Sequence, residues 1–295
     1  MLSYLKSMLL CIRYQEAFIF QTPTLMGIVV FLPGISAANM AVTLLAGSGS
    51  FLVMASIFAM NDWADINLDS QNSIKSKDTF LERGMDPEHV LALAGALAVG
   101  GLIIFSVLSW LHVVTALIAL LFGLAYSVPI GGVRGKSVPV FSSILHFGGT
   151  LLSFLLGALT FTHVDLPSLL IASYPAVLIT AGHLVQEVED YEEDRFSGCQ
   201  TNAVRFGRKP VFLIASFLFG FSFLLLYWLA EKGFFINIIK YAPILYLLYV
   251  SLAMKAYRAG LVRDSVRQLR NHYRILFAVV TLAMMIGSLL KRWTL

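Results

Sequence analysis

With 58% hydrophobic and only 13% charged residues among 295, and a mean hydropathy of +0.80, this chain cannot clothe a water-facing globule, because soluble domains carry about 25% charged residues. The net charge of +4 and pI near 9.0 come from basic residues scattered between apolar runs, with no basic block interleaved with aromatics; this excludes nucleic acid as a partner and points to the lipid bilayer. Cys11 and Cys199 have neither zinc nor redox-pair spacing and read as reduced thiols.

A helix needs about 20 mostly apolar residues to cross the hydrocarbon core. An open strand would leave its backbone groups unpaired in lipid. The fold class is therefore all-α, a polytopic membrane helical bundle. About nine stretches qualify as transmembrane helices: 16–36, 40–60, 88–108, 111–128, 140–161, 168–187, 211–230, 236–256 and 273–290. The first follows Lys6 and Arg13 without a small-residue cleavage site and polar continuation, and reads as a retained helix rather than a signal peptide. Residues 1–295 read as a single transmembrane domain.

The connections alternate between short ones and long polar ones at 61–87, 129–139, 188–210 and 257–272. Seventeen of the 21 Lys and Arg lie on the long-loop side. The positive-inside rule then places the N-terminus and the long loops in the cytoplasm and the C-terminus on the opposite side.

The acidic residues concentrate after the second and sixth spans, four helices apart. That spacing suggests two four-helix units plus one helix. The second span ends in Asn61-Asp62-Trp63-Ala64-Asp65, with Asp69 one turn on. Asp62, Asp65 and Asp69 at i, i+3 and i+7 share a helix face. Three carboxylates repel one another, and a helix C-terminus disfavours them further. A divalent cation relieves both, and Mg²⁺ takes one or two carboxylates together with substrate phosphates. The plainer alternative is a solvated helix end.

The sixth span carries His183, Glu187, Asp190 and Asp194 on one stripe. Glu189, Glu192 and Glu193 point elsewhere, toward solvent or Arg195. Two facing acidic clusters suit two Mg²⁺ ions around one diphosphate. His183 is either a packed histidine of the bundle or a border of the acceptor site, since an ionisable residue inside a membrane is a functional candidate. His146, in the fifth span, has the same two readings. Lys75, Lys77, Arg134 and Lys136 lie near the acids, where cations stabilise a departing diphosphate; each also satisfies the positive-inside rule. Tyr126 is an interfacial anchor or a shield for a carbocation.

Asn61-Asp62-x-x-Asp65-x-x-x-Asp69 resembles the first signature of the UbiA superfamily of intramembrane prenyltransferases, and Asp190-x-x-x-Asp194, with Arg195 and Gly198, resembles the second. Thr201 to Gly207 resembles the segment that follows it. Tyr126-Ser127-x-Pro129, with Arg134 and Lys136, resembles a third recurrent element. The resemblance implies an enzyme in which Asp62, Asp65, Asp69, Asp190 and Asp194 bind two Mg²⁺ ions with help from Asn61. It also implies basic loop residues that hold a prenyl diphosphate, and an apolar groove, open to lipid, that takes the tail. A small-molecule, often aromatic, acceptor receives the prenyl group. Two departures stand out. Lys75 or Lys77 replaces the family's usual arginine, and lysine lacks the bidentate fork. Glu187 occupies a position that is commonly Asp or Asn, and joins His183 among the substrate-binding candidates. A UbiA-type terpene cyclase without external acceptor is the alternative. An ion-coupled transporter is the third reading, and the placement of the acids at helix ends rather than at the bilayer midplane argues against it.

Overall fold

The structure is a computed structural model that describes residues 2–71, 79–129 and 131–293. It contains no strand among the described residues. Two short helices, α1 (Leu2–Cys11) and α2 (Tyr14–Ile19), precede α3 (Thr22–Phe31), α4 (Ala37–Gln71), α5 (Pro87–Leu108), α6 (Trp110–Ser127) and α7 (Phe141–Ala158). Then come α8 (Leu166–Glu189), the short α9 (Tyr191–Phe196) and α10 (Asn202–Phe206), α11 (Arg208–Glu231), α12 (Ile244–Arg258) and α13 (Arg263–Trp293).

Local signals set the boundaries. Pro33, which disfavours helix in the residue before it, follows the end of α3. Pro87 opens α5, where a missing N–H costs nothing. Ser109 caps α6 by accepting from the His112 N–H at 3.3 Å. Asp165 and Ser168 form a reciprocal capping box on α8. The Ser168 N–H held against it, first among several contacts, keeps the Asp165 carboxyl below the usual carboxylate range.

Eight helical stretches among the described residues are long and apolar enough to cross a membrane. The sequence leads one to expect about nine, and the difference lies at 16–36. There the chain interrupts its helix at Phe20 and Gln21, leaving α2 and α3, each too short to span alone. Large apolar side chains such as Val107, Phe217 and Ile275 face outward from the long helices, as lipid-facing positions require.

The chain forms two compact units. The first comprises Met1–Ile28, Ile35–Gly135 and Leu152–Thr162. Its centre is the pairing of α4 with α5, where Val53, Phe105, Ala116 and Leu156 form a buried cluster. A second cluster, Cys11, Phe80, Met85 and Val90, seats α1; burial pushes the Cys11 thiol up, as befits an inert packing thiol. The end of α7 crosses α3 with almost no gap. A Cβ on Gly157 would stand 1.9 Å from the Thr24 carbonyl oxygen, and one on Gly27 would stand 2.2 Å from that of Phe154. Thr24 Oγ1 seals the crossing by donating to the Ser153 carbonyl at 2.9 Å. Small residues allow this backbone approach in membrane helices. Gly157→Ala is expected to lower stability by about 1–3 kcal/mol through overpacking. Gly95→Ala, where the new methyl meets no atom within 4 Å, should cost nothing. Thermal unfolding of the two variants in the same detergent tests the contrast.

The second unit comprises Val29–Gly34, Lys136–Leu151 and His163–Leu295. Here α8 packs on α11, and an aromatic cluster binds α11, α12 and α13. Phe219 stands 4.8 Å from Tyr249 and 5.0 Å from both Tyr273 and Phe277, centroid to centroid. Such ring pairs each add about 0.5–1.5 kcal/mol beyond area burial.

Two long loops are shorter than the polarity of their sequences suggests. The expected loop 61–87 begins as the last three turns of α4, and most of 257–272 is the start of α13. The physical reason in the second case is a concealed stripe. Val266, Leu269 and Tyr273 recur at helical spacing and are buried, while the arginines between them look polar in a window average.

Candidate active site

In the first unit, α4 carries Asn61, Asp62 and Asp65 in one continuous helix, so the expected shared face exists. Each side chain already has a partner. Asp62 is paired with Arg13, and Asp65 Oδ1 accepts from Arg134 at 2.8 Å. Arg134 also donates to the Ala64 carbonyl at 2.7 Å, clamping the loop after α6 to the end of α4. Ser127 Oγ, beside Tyr126 in the last turn of α6, donates to Asn61 Oδ1 at 3.0 Å. The structure thus brings Asn61, Asp62, Asp65 and Arg134 together, and places the half-buried Tyr126 next to the serine that contacts Asn61. Asp69 adds its backbone to α4; its side chain, like Lys75 and Lys77, lies outside the described residues.

Two carboxylates with 11% and 9% exposure are costly unless a cation compensates them, and here two guanidinium groups do so. Their oxygens are also of the donor type that a hard divalent cation takes. Arg13 is the residue that sequence reasoning passed over, having assigned it only to membrane orientation. Its backbone is left-handed, with φ 45° and ψ 52°, between α1 and α2. That conformation costs a non-glycine residue of order 1–3 kcal/mol. A basic residue at a helix break in an apolar N-terminal segment was the available signal.

In the second unit, α8 ends at Glu189 and Asp190 sits at the joint with α9. Hydrogen bonds continue through the joint, from the Asp190 N–H to the Gln186 carbonyl and from the Asp194 N–H to the Asp190 carbonyl, both 2.9 Å. Asp190 and Asp194 therefore stay one turn apart, as their spacing predicts. Burial, and after it the neighbouring Glu189, holds the Asp190 carboxyl above its usual range. A cation placed there would reverse that pressure, so the oxygen donors fit a hard divalent ion at this cluster as well.

Among the surrounding acids Glu192 is exposed to solvent as expected, whereas Glu189 is buried. Glu189, Glu192 and Glu193 do not pair with Arg195, which is exposed on the far turn of α9. Glu189 is buried and held by Arg267 at 3.0 Å and Arg270 at 2.5 Å, Glu193 pairs with Arg263, and Glu192 lies 3.4 Å from Arg208. The extension of α13 supplies three of these arginines, an arrangement hidden from any local reading of residues 188–210.

Glu187 is also committed to the protein. Its Oε1 accepts from Asn202 Nδ2 at 3.0 Å and Ser142 Oγ at 3.3 Å, and its Oε2 from the Ala203 N–H at 3.3 Å. Asn202 Oδ1 in turn accepts from the Val140 N–H at 2.6 Å, with Val140 in a left-handed conformation at φ 66°. This network ties α10 and the start of α7 to α8. The His183 imidazole lies one turn above Glu187, with Nε2 3.0 Å from Oε1, and stacks on His146 at a centroid distance of 3.8 Å. Lys136 lies half-buried in a short 3₁₀ turn, Gly135–Ser137.

Among the described residues no three His, Cys, Asp or Glu side chains converge as a complete metal cage. The carboxylates of the first cluster are turned to arginines, and those of the second are spread over a helix joint. An ion that keeps several waters and shares the substrate's phosphates needs no such cage.

Residues 21–269 match the model of the UbiA prenyltransferase family. A search of curated proteins found no match. Among solved structures, one from work on a digeranylgeranylglyceryl phosphate synthase superposes with a TM-score of 0.77 at 20% identity, over 98% of this chain and 99% of that one. A UbiA homologue from Archaeoglobus fulgidus, bound to GPP and Mg²⁺, superposes at 0.76 with 19% identity, over 96% and 99%. The apo form of a homologue from Aeropyrum pernix K1 superposes at 0.66 with 16% identity, over 92% and 98%. Identities this low speak for the fold, whereas the family model spans most of the sequence. Its apolar helices, paired acidic motifs and family match together make this chain an integral membrane protein of the UbiA prenyltransferase family.

Proposed function

We propose that this protein is a Mg²⁺-dependent intramembrane prenyltransferase that moves a prenyl group from a prenyl diphosphate to a small-molecule acceptor and releases diphosphate. The observation that carries the reading is the first acidic cluster: Asp62 and Asp65, nearly buried on one helix face, each neutralised by an arginine. Carboxylates and guanidinium groups at one helix end are the two halves of a metal–diphosphate site. A diphosphate arriving with Mg²⁺ offers the arginines an anion and the carboxylates a cation, so both ion pairs can be exchanged without leaving a bare charge. The archaeal homologue bound to GPP and Mg²⁺ supports the same assignment.

In this reading Asp62, Asp65, Asp69, Asp190 and Asp194 hold two Mg²⁺ ions, and Asn61 adds a neutral oxygen. Mg²⁺, when bound, neutralises the charge that develops on the leaving diphosphate. Arg134, Lys136 and one of Lys75 and Lys77 are the basic residues assigned to the leaving diphosphate. Tyr126 offers its ring face to the allylic cation. In this reading the N-terminus and the long loops are on the cytoplasmic side, where the positive charges concentrate, and α2 and α3 together make the ninth crossing that puts the C-terminus opposite.

The test is a product screen by mass spectrometry. Purified protein is given geranyl, farnesyl or geranylgeranyl diphosphate with Mg²⁺ and 4-hydroxybenzoate, 1,4-dihydroxy-2-naphthoate or a glycerol phosphate ether. A prenylated acceptor is expected, lost on chelation with EDTA and restored by Mg²⁺. A cyclised hydrocarbon formed without acceptor would replace this reading with a terpene cyclase. No Mg²⁺-dependent product from any pairing would remove it.

A further inference from the structure

Within the second unit two imidazoles lie face to face inside the helix pair α7 and α8. The His146 and His183 ring centroids are 3.8 Å apart with planes 23° from parallel. His183 is 9% exposed, and its Nε2 lies 3.0 Å from Glu187 Oε1. That distance suits an ion pair, yet the ring is not aligned to donate a hydrogen bond from Nε2. A histidine kept only for packing in a membrane span would be set among apolar neighbours. This one is instead set beside a fixed carboxylate whose other contacts, to Asn202, Ser142 and the Ala203 N–H, prevent it from turning away.

Prenyl transfer as proposed above requires a destination for one proton. The C1–O bond of the prenyl diphosphate breaks, and its electron pair leaves on diphosphate. The acceptor's nucleophilic atom bonds to C1, and the hydrogen on that atom must depart. We propose that His183, held by Glu187 and stacked on His146, takes that proton and passes it to water at the polar end of α8. The inference rests on the prenyltransferase reading and adds the identity of its base.

The position is suitable. His183 lies seven residues before Asp190 on the same stripe, about 10 Å along the helix axis toward the apolar interior. That displacement is of the size spanned by a metal-bound diphosphate at Asp190, the carbon attached to it and the acceptor atom that attacks that carbon. The stack accommodates one proton only, since two imidazolium rings in contact repel. The charged and titratable groups that the described residues bring near the pair are these. Helix α8 itself offers Glu187, and α10 presents the neutral Asn202. Helix α13 brings Tyr273, whose hydroxyl lies beside Gly182, together with Arg267 and Arg270, which are taken up by Glu189. The buried residues at the start of α11, Val211, Phe212 and Ala215, carry no charge. Glu187 is the anion set directly against His183.

The test compares wild type, His183→Gln and His146→Phe, using whichever of the three acceptors gives product in the screen. Diphosphate release without acceptor and the pH profile of kcat/KM are recorded alongside. His183→Gln should lower kcat for transfer about 10²-fold, the scale of general-base catalysis. It should also abolish the acid limb of the profile, while KM for the prenyl diphosphate and acceptor-independent diphosphate release stay at wild-type values. His146→Phe keeps a ring in the stack and should shift the acid limb with less than about a tenfold loss of rate. Wild-type rate and profile in His183→Gln would overturn the proposal, as would a parallel fall of transfer, substrate affinity and diphosphate release. If His183→Gln does not fold, an unmoved acid limb in His146→Phe overturns it. A wild-type protein that releases no diphosphate with Mg²⁺ would instead sink the prenyltransferase reading beneath it.

Discussion

Asp65→Asn and Asp190→Asn should each reduce Mg²⁺-dependent prenyl transfer by about 10²–10³-fold or more, with the protein still folded. The estimate follows from what the removed charge does. Stabilising charge that develops on a leaving group is commonly the largest single contribution to such a rate, and losing one well-placed group costs on that scale. Asparagine is the informative replacement. At position 65 it preserves shape and an oxygen that can still accept from Arg134, so a drop in activity cannot be blamed on a collapsed loop. Alanine there would leave the Arg134 guanidinium, only 16% exposed, without its carboxylate, and would mix a folding defect into the rate. At position 190 the carboxyl is crowded by Glu189 and Glu193, so removing its charge relieves repulsion and should raise rather than lower metal-free stability. Radiolabelled prenyl transfer, set against the thermal midpoint in detergent, reads both quantities. Wild-type turnover in either variant would sink the assignment of that aspartate.

Glu189→Ala carries the largest expected effect on stability, a loss of about 3 kcal/mol. Glu189 is 4% exposed and receives both Arg267 and Arg270, joining the end of α8 to the start of α13. Breaking a buried pair by deleting one member typically costs 3–5 kcal/mol, because the remaining charge is left uncompensated. The lower end applies because the two arginines differ in exposure. Arg270 is 12% exposed and also reaches Gln186 at 3.3 Å, whereas Arg267 is 54% exposed and can return to water. By the same reasoning Arg267→Ala should cost much less than Glu189→Ala, because an exposed arginine returns to water and a solvent-exposed pair contributes little. Denaturation of the two variants side by side distinguishes the cases. Equal losses would mean that Arg267, despite its exposure, carries most of what Glu189 contributes.

Much of the architecture is legible in the sequence because the bilayer is a severe solvent. Backbone groups must be satisfied within each segment, so runs such as 88–108 and 211–230 had one structural option and appear as α5 and α11 almost to the residue. The spacing of Asp62 and Asp65 likewise determined a shared helix face, since it depends only on helical periodicity. The break at Phe20 and Gln21 was less visible, because an average over 16–36 remains apolar whether or not the helix is continuous. The helical nature of 263–272 was hidden for the opposite reason: its buried stripe is narrow and its arginines dominate the average.

Pairing across the chain was decided by tertiary structure alone. Arg13 and Asp62 are 49 residues apart, Arg134 and Asp65 are 69 apart, and Arg270 and Glu189 are 81 apart. No local rule selects those partners over nearer ones such as Arg195. The same holds for Glu187: sequence places it on the stripe with Asp190, but only the packing of α7 and α10 on α8 surrounds it with Asn202, Ser142 and the Ala203 N–H. Local periodicity tells where a charge stands on its own helix. Which opposite charge arrives there depends on how helices distant in sequence come together.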